Sequence, residues 1–121
     1  RLESDLVEIM NSVIDGKLED QKIQWKAEQA VCVVMASGGY PEHYDKGYEI
    51  KGLDKAAQID GVTVFHAGTK KVSDKFVTSG GRVLVVSAVA ENYELAREKA
   101  YKAIGDIAFE KAHYRRDIGR M

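Results

Sequence analysis

Val64-Phe65-His66-Ala67-Gly68-Thr69, followed by Thr78-Ser79-Gly80-Gly81-Arg82-Val83-Leu84-Val85-Val86, places two apolar, β-branched runs on either side of a polar loop. Runs of this composition favour strands, and the Gly-Gly pair delivers one arginine at the mouth of the second. Paired glycines let backbone amides approach a ligand closely, because no side chain intervenes and positive φ costs little. Arginine adds a planar, permanently charged fork suited to phosphate or carboxylate. This is the composition of an anion site. The same spacing also describes a hairpin-like turn followed by a solvated arginine, since short Gly-rich motifs recur by chance.

Outward from this block, Val62–His66, Lys75–Thr78 and Arg82–Ala90 read as strands, the last being the longest. Ala30–Ala36 is a continuous apolar run and reads as a buried central strand. Ser37-Gly38-Gly39-Tyr40-Pro41 breaks it, Tyr44-Asp45-Lys46-Gly47 makes a second turn, and Tyr48-Glu49-Ile50 is a short strand. Leu53–Gln58 supplies a turn or two of helix. Leu2, Leu6, Ile9, Met10, Val13 and Ile14 recur at helical spacing, with Ser4 or Asp5 as cap and Asp15-Gly16 as stop. Trp25 is a candidate anchor over the core. Glu91–Ile104 is an amphipathic helix capped by Asn92, with Leu95, Ala96, Ala100, Ala103 and Ile104 as its stripe and Gly105 as its end. Ile107–Phe109 is extended. Short strands between two flanking helices predict an α+β fold with a largely antiparallel sheet.

The 121 residues suffice for one domain with a real core, and 45% hydrophobic with 31% charged residues is ordinary for a globular protein. With 18 basic and 19 acidic side chains the net charge is −1, so no global field favours nucleic acid. Apolar runs such as Val31–Ala36 fall far short of the ~20 residues that cross a bilayer. Cys32 is the single cysteine, which excludes an internal disulfide and suits a cytosolic setting; within its apolar run it reads as an inert buried thiol. The chain opens at Arg1 and runs straight into a helix pattern, which suggests a piece of a longer protein.

Chemistry-bearing residues are sparse. His43, His66 and His113 lack metal-ligand spacing, and no paired carboxylates, Walker or serine-hydrolase pattern is present. His66 ends a strand beside Ala67-Gly68-Thr69, where it either orients the loop or touches a ligand. Lys70, Lys71 and Lys75 fall in the loop before Gly80-Gly81-Arg82, so one lysine and Arg82 can bracket an anion if the loop folds back. Arg115, Arg116 and Arg120 form a second basic patch, partly neutralised by Asp117.

Taken in order, Ala36-Ser37-Gly38-Gly39-Tyr40-Pro41, Tyr44-Asp45-Lys46-Gly47, Ile50-Lys51-Gly52-Leu53, Val64 to Thr69, the Gly-Gly-Arg-Val-Leu block and Tyr114-Arg115-Arg116-Asp117-Ile118-Gly119 form one signature. It closely resembles the C-terminal domain of the glycinamide ribonucleotide synthetase (phosphoribosylamine–glycine ligase) family, over nearly the whole chain. Arg1-Leu2 and Ser4-Asp5-Leu6 resemble the segment that joins this domain to an ATP-grasp core.

The resemblance implies a purine-biosynthesis ligase that uses ATP and Mg2+ (or Mn2+) to phosphorylate glycine, after which 5-phosphoribosylamine attacks. It implies a half barrel-sandwich-hybrid-like sheet, with residues 1–16 as a connecting helix and 17–121 as a C-terminal domain that walls the substrate pocket. The family's nucleotide-binding lysines and acidic magnesium ligands match no position here. The chain is therefore expected to be inactive alone, with no catalytic, cofactor or metal residues of its own. Its expected partners are the ATP-grasp and N-terminal domains of the same cytoplasmic enzyme, not nucleic acid or membrane. By the same resemblance Arg82 is the first candidate ligand for the phosphoribosyl phosphate, with the Gly80 and Gly81 amides beside it. Lys70 is a weaker candidate, and His66, Thr69 and Tyr40 shape the pocket. The alternatives are a structural interface module of that enzyme and an independent small-anion-binding domain.

Overall fold

A computed structural model describes residues 1–120. Nine-residue strands β1 (Gln29–Ser37) and β5 (Arg82–Ala90) lie side by side at the centre of a four-stranded antiparallel sheet. The opening block of sequence therefore shares its status as the longest strand with β1. β2 (Val62–His66) flanks β5, and the two-residue β6 (Ala112–His113) flanks β1, giving the order β2-β5-β1-β6. Val64 faces Val86 and His66 faces Leu84 across the β2–β5 ladder. Between them the chain makes a second, two-stranded sheet from β3 (Thr69–Val72) and β4 (Lys75–Thr78). The expected lysine loop is thus half strand: the Thr-Lys-Lys-Val run has no apolar alternation to announce it, and cross-strand pairing makes it.

One face of the large sheet is covered by α3 (Tyr93–Asp106). Asn92 caps this helix by accepting a hydrogen bond from the Leu95 amide at 2.9 Å. Ala96, Ala100, Ala103 and Ile104 are buried, and the three alanines let the helix lie close on Val31, Val33, Met35, Leu84 and Val86. Gly105 lies inside the helix instead of ending it; Ile107, extended, terminates it and tucks into the core. Leu95, at the helix start, is exposed. The short α2 (Leu53–Ala57) closes the sheet's β2 side. Tyr48–Ile50 forms no ladder. It runs beside β4 through a single Glu49–Val77 bridge and the Thr78 and Ile50 amides, which donate to Tyr48 and Phe76 at 2.8 Å.

The opposite sheet face has no cover among the described residues. Cys32 and Val34 of β1 point that way, as do Phe65 of β2 and Val85 of β5, so Cys32 is exposed rather than buried and Phe65 is 54% exposed. The N-terminal arm also departs from expectation. α1 (Leu6–Ile14) is capped by Asp5, whose carboxylate accepts from Val7 and Glu8 amides at 2.7 and 3.1 Å. Leu2 stays outside the helix and bridges Trp25, and Arg1 donates to the Lys26 carbonyl. The arm closes on itself, leaving Leu6, Val7, Met10, Val13 and Ile14 exposed, and Trp25, 61% exposed, anchors no core. No helix is long and apolar enough to cross a membrane among the described residues.

Candidate functional site

Strand parity decides where the arginine points. Core-facing residues on β5 run Ala88, Val86, Leu84, and simple alternation would send Arg82 inward after them. A β-bulge intervenes: Met35 pairs with Leu84, but Ala36 pairs with Arg82, leaving Val83 as the extra residue. Val83 and Leu84 are consequently both fully buried, and Arg82 emerges on the uncovered face beside Ala36. Bulges re-aim side chains in this way. Inward, an unpaired guanidinium would be prohibitive. Outward, Arg82 lines a cleft of about 680 Å3 with Val34, Val85, Tyr40, Ala67, Gly68 and Gly81. Among the described residues its guanidinium has no ion-pair partner.

The backbone leading into Arg82 is tied down on three sides. The Gly68 amide donates to the Arg82 carbonyl at 2.7 Å, and Ser79 donates to the Gly68 carbonyl at 2.8 Å. From β1, Ser37 donates its amide to the Gly81 carbonyl at 2.8 Å and its hydroxyl to the Gly80 carbonyl at 2.9 Å. The third restraint is the Tyr40 ring. A Cβ at Gly81 would fall 2.1 Å from that ring, and one at Gly80 would meet Gly68 Cα at 3.0 Å. The protein itself therefore occupies the space that the two glycines leave open, and Gly81 is buried.

The Tyr40 loop has its own tether. Tyr40 donates its amide to the Ser37 carbonyl at 3.1 Å, and its ring lies 6.1 Å from that of Tyr44. Farther along, Asp45 accepts from Lys111 Nζ at 2.8 Å and from the Tyr48 hydroxyl at 3.1 Å. The Lys111 hydrogen bond, helped by Tyr48, holds the Asp45 carboxyl below its usual range. Lys111 is correspondingly raised, chiefly by Asp45. Gly38 passes so close to Lys111 that an added Cβ would lie 2.7 Å from its carbonyl oxygen.

The remaining candidates separate from Arg82. His66 pairs with core-facing Leu84, so it occupies the other side of the sheet. There its Nδ1 is 2.9 Å from Thr69 Oγ1 and its ring is 4.4 Å from Phe76, lining a different cavity of about 660 Å3 between α2, β2 and β4. That cavity also holds Lys75, paired with Glu49 at 3.0 Å. Lys70, opposite Val77 on the exposed hairpin, lines neither cavity. In the tail, Arg115 is bound to Asp117 at 2.5 Å, which lowers the aspartate and raises the arginine. Arg97 and Tyr101 of α3 hold that tail by its carbonyls, leaving Arg116 over the Tyr114 ring. Sequence reasoning missed Val34 and Val85 as site walls, and gave Ser37 no role of its own. The apolar run conceals which face stays open, but Ser37 lies within the motif beginning at Ala36.

Comparison with known proteins points the same way. Residues 30–121 match the family model described as phosphoribosylglycinamide synthetase, C domain. Over 119 residues, 98% of this chain, it is 46% identical to the phosphoribosylamine–glycine ligase of Rhodopirellula baltica, covering 27% of that protein. It is 49% identical over 119 residues, again 98% of this chain, to the trifunctional purine biosynthetic protein adenosine-3 of Gallus gallus, covering 12% of it. The crystal structure of phosphoribosylamine–glycine ligase from Thermotoga maritima superposes with a TM-score of 0.70 at 36% identity, over 90% of this chain and 27% of that one. The chain thus spans about a quarter of the ligases it matches. A bulged strand presenting one arginine, the ordered motifs and these matches agree: the chain belongs to the family of phosphoribosylglycinamide synthetase C domains.

Proposed function

We propose that this chain is the C-terminal part of a cytoplasmic ATP-dependent ligase that joins glycine to 5-phosphoribosylamine in purine biosynthesis, and that it walls the phosphoribosylamine pocket. In that reaction the γ-phosphoryl group of ATP passes to a glycine carboxylate oxygen, releasing ADP. The amine then attacks the acyl carbon and loses a proton, and phosphate leaves with the C–O bonding electrons. Support comes from relatives that carry the ligase's name and align over 98% of this chain. Nucleotide and Mg2+ belong, in this reading, to the ATP-grasp domain outside the chain. Residues 1–16 are the connecting helix. The family model begins only at residue 30, and the apolar side of α1 is exposed, as a partner domain would require. Alone, the chain should turn over no ATP with glycine.

The observation that carries the pocket role is Arg82, unpaired and aimed by the bulge into the cleft. Gly80 and Gly81 back it, and Tyr40 forms one wall. Lys70, His66 and Thr69 remain secondary candidates, because they lie away from that cleft. In the full-length ligase, Arg82→Ala should raise the KM for phosphoribosylamine by about 10- to 100-fold, the loss of one charge-assisted contact. The KM values for ATP and glycine should hold. An unchanged phosphoribosylamine KM favours the second reading, a structural interface module. The uncovered apolar face around Val34 and Phe65 is the observation on its side.

A further inference from the structure

We propose that Ser37 is a positioning residue for phosphoribosylamine binding, acting through Arg82. The inference rests on the reading of Arg82 as the contact to the substrate's phosphate. Ser37 is 3% exposed, so its hydroxyl is not offered to solvent or ligand. It is a junction of three segments. Its amide and hydroxyl grip consecutive carbonyls of the turn at Gly81 and Gly80, while its own carbonyl receives the Tyr40 amide. Tyr40 in turn lays its ring against Gly81. The same serine thus fixes both the turn that launches Arg82 and the loop that covers the turn.

The device matters because, among the described residues, no hydrogen bond or ion pair holds the guanidinium itself. A long, flexible side chain without a partner binds well only if its origin is fixed, since ordering it on binding costs entropy. Gly80-Gly81 is intrinsically the loosest point of β5's entrance, and the Gly68 bonds restrain it from one side only. Ser37 supplies the restraint from β1. Alanine would keep the amide bond but leave the half-buried Gly80 carbonyl without its hydroxyl donor.

The test is a double-mutant cycle in the full-length ligase with Ser37→Ala, Arg82→Ala and the pair. Ser37→Ala should raise the phosphoribosylamine KM about three- to tenfold while leaving kcat and the KM values for ATP and glycine within about twofold. In the Arg82→Ala background the same change should move that KM less than about twofold. Equal effects in both backgrounds, or a rise in all three KM values, would show a merely structural serine and overturn the inference. An unchanged KM in Arg82→Ala alone would overturn the reading of Arg82, which is a separate result. Should Ser37→Ala not accumulate as folded protein, Ser37→Cys takes its place. It keeps the buried volume and offers only a weak donor, and it is judged by the same two comparisons.

Discussion

The two faces of the central sheet have similar compositions and opposite fates. Val33, Met35, Leu84 and Val86 lie under α3, while Cys32, Val34 and Val85, drawn from the same strands, and Phe65 of β2 lie on the open face. Composition alone does not distinguish them. What separates them is the partner each face finds: an alanine-striped helix on one side, and none among the described residues on the other. An apolar face left open on a well-formed sheet, together with the open side of α1, is a larger patch than isolated surface residues make. The chain thus has one finished core and one half of a second.

The largest test of this contrast is a pair of truncations. Leu84→Ala, in a fully buried site, should destabilise the chain by about 2–5 kcal/mol in urea unfolding. Phe65→Ala, from the next register position on the open face, should lose less than about 1 kcal/mol. Comparable losses would mean that the open face is covered in solution. Thiol chemistry gives a milder probe. Cys32 should react with a maleimide in the native chain, whereas a thiol moved one residue, in Cys32→Ser with Val33→Cys, should react only on unfolding. Protection of Cys32 in the native chain would break the comparison.

The smallest effect concerns the loop that carries Tyr40. Because the folded pKa of Asp45 is lowered by Lys111 and Tyr48, its contribution is fully present above the usual carboxylate pKa. It is lost as pH falls through the lower folded value. Asp45→Asn should therefore remove a small part of the acid sensitivity below about pH 4 and change little at neutrality, because the pair is exposed and screened. Thermal unfolding followed from neutral to acid pH checks the sign.

Most elements were legible because their signals are local. Asp5 and Asn92 announce their helices, and β1, β2, β4 and β5 are dense in β-branched residues. β3 and β6 were not, since Thr69–Val72 is half lysine and Ala112–His113 is two residues long; each exists only through its partner. Trp25 and Cys32 were misplaced for a shared reason. Hydrophobicity predicts that a residue will be covered, not that its cover belongs to the same stretch of chain. For the site, Arg82 could be found from its glycines, but its separation from His66 could not. That depends on the Met35–Ala36 register shift, which leaves no mark in composition.

The bulge at Val83 turns a matter of chemistry into one of counting. Which side of the sheet receives the positive charge is decided by which residue takes the place opposite Ala36, not by what the residues there are. Set aside as the extra residue, Val83 lets Arg82 take that place and point outward; were Val83 paired there instead, alternation would turn the guanidinium inward, whereas loss of Val83 would leave Arg82 opposite Ala36 and still outside.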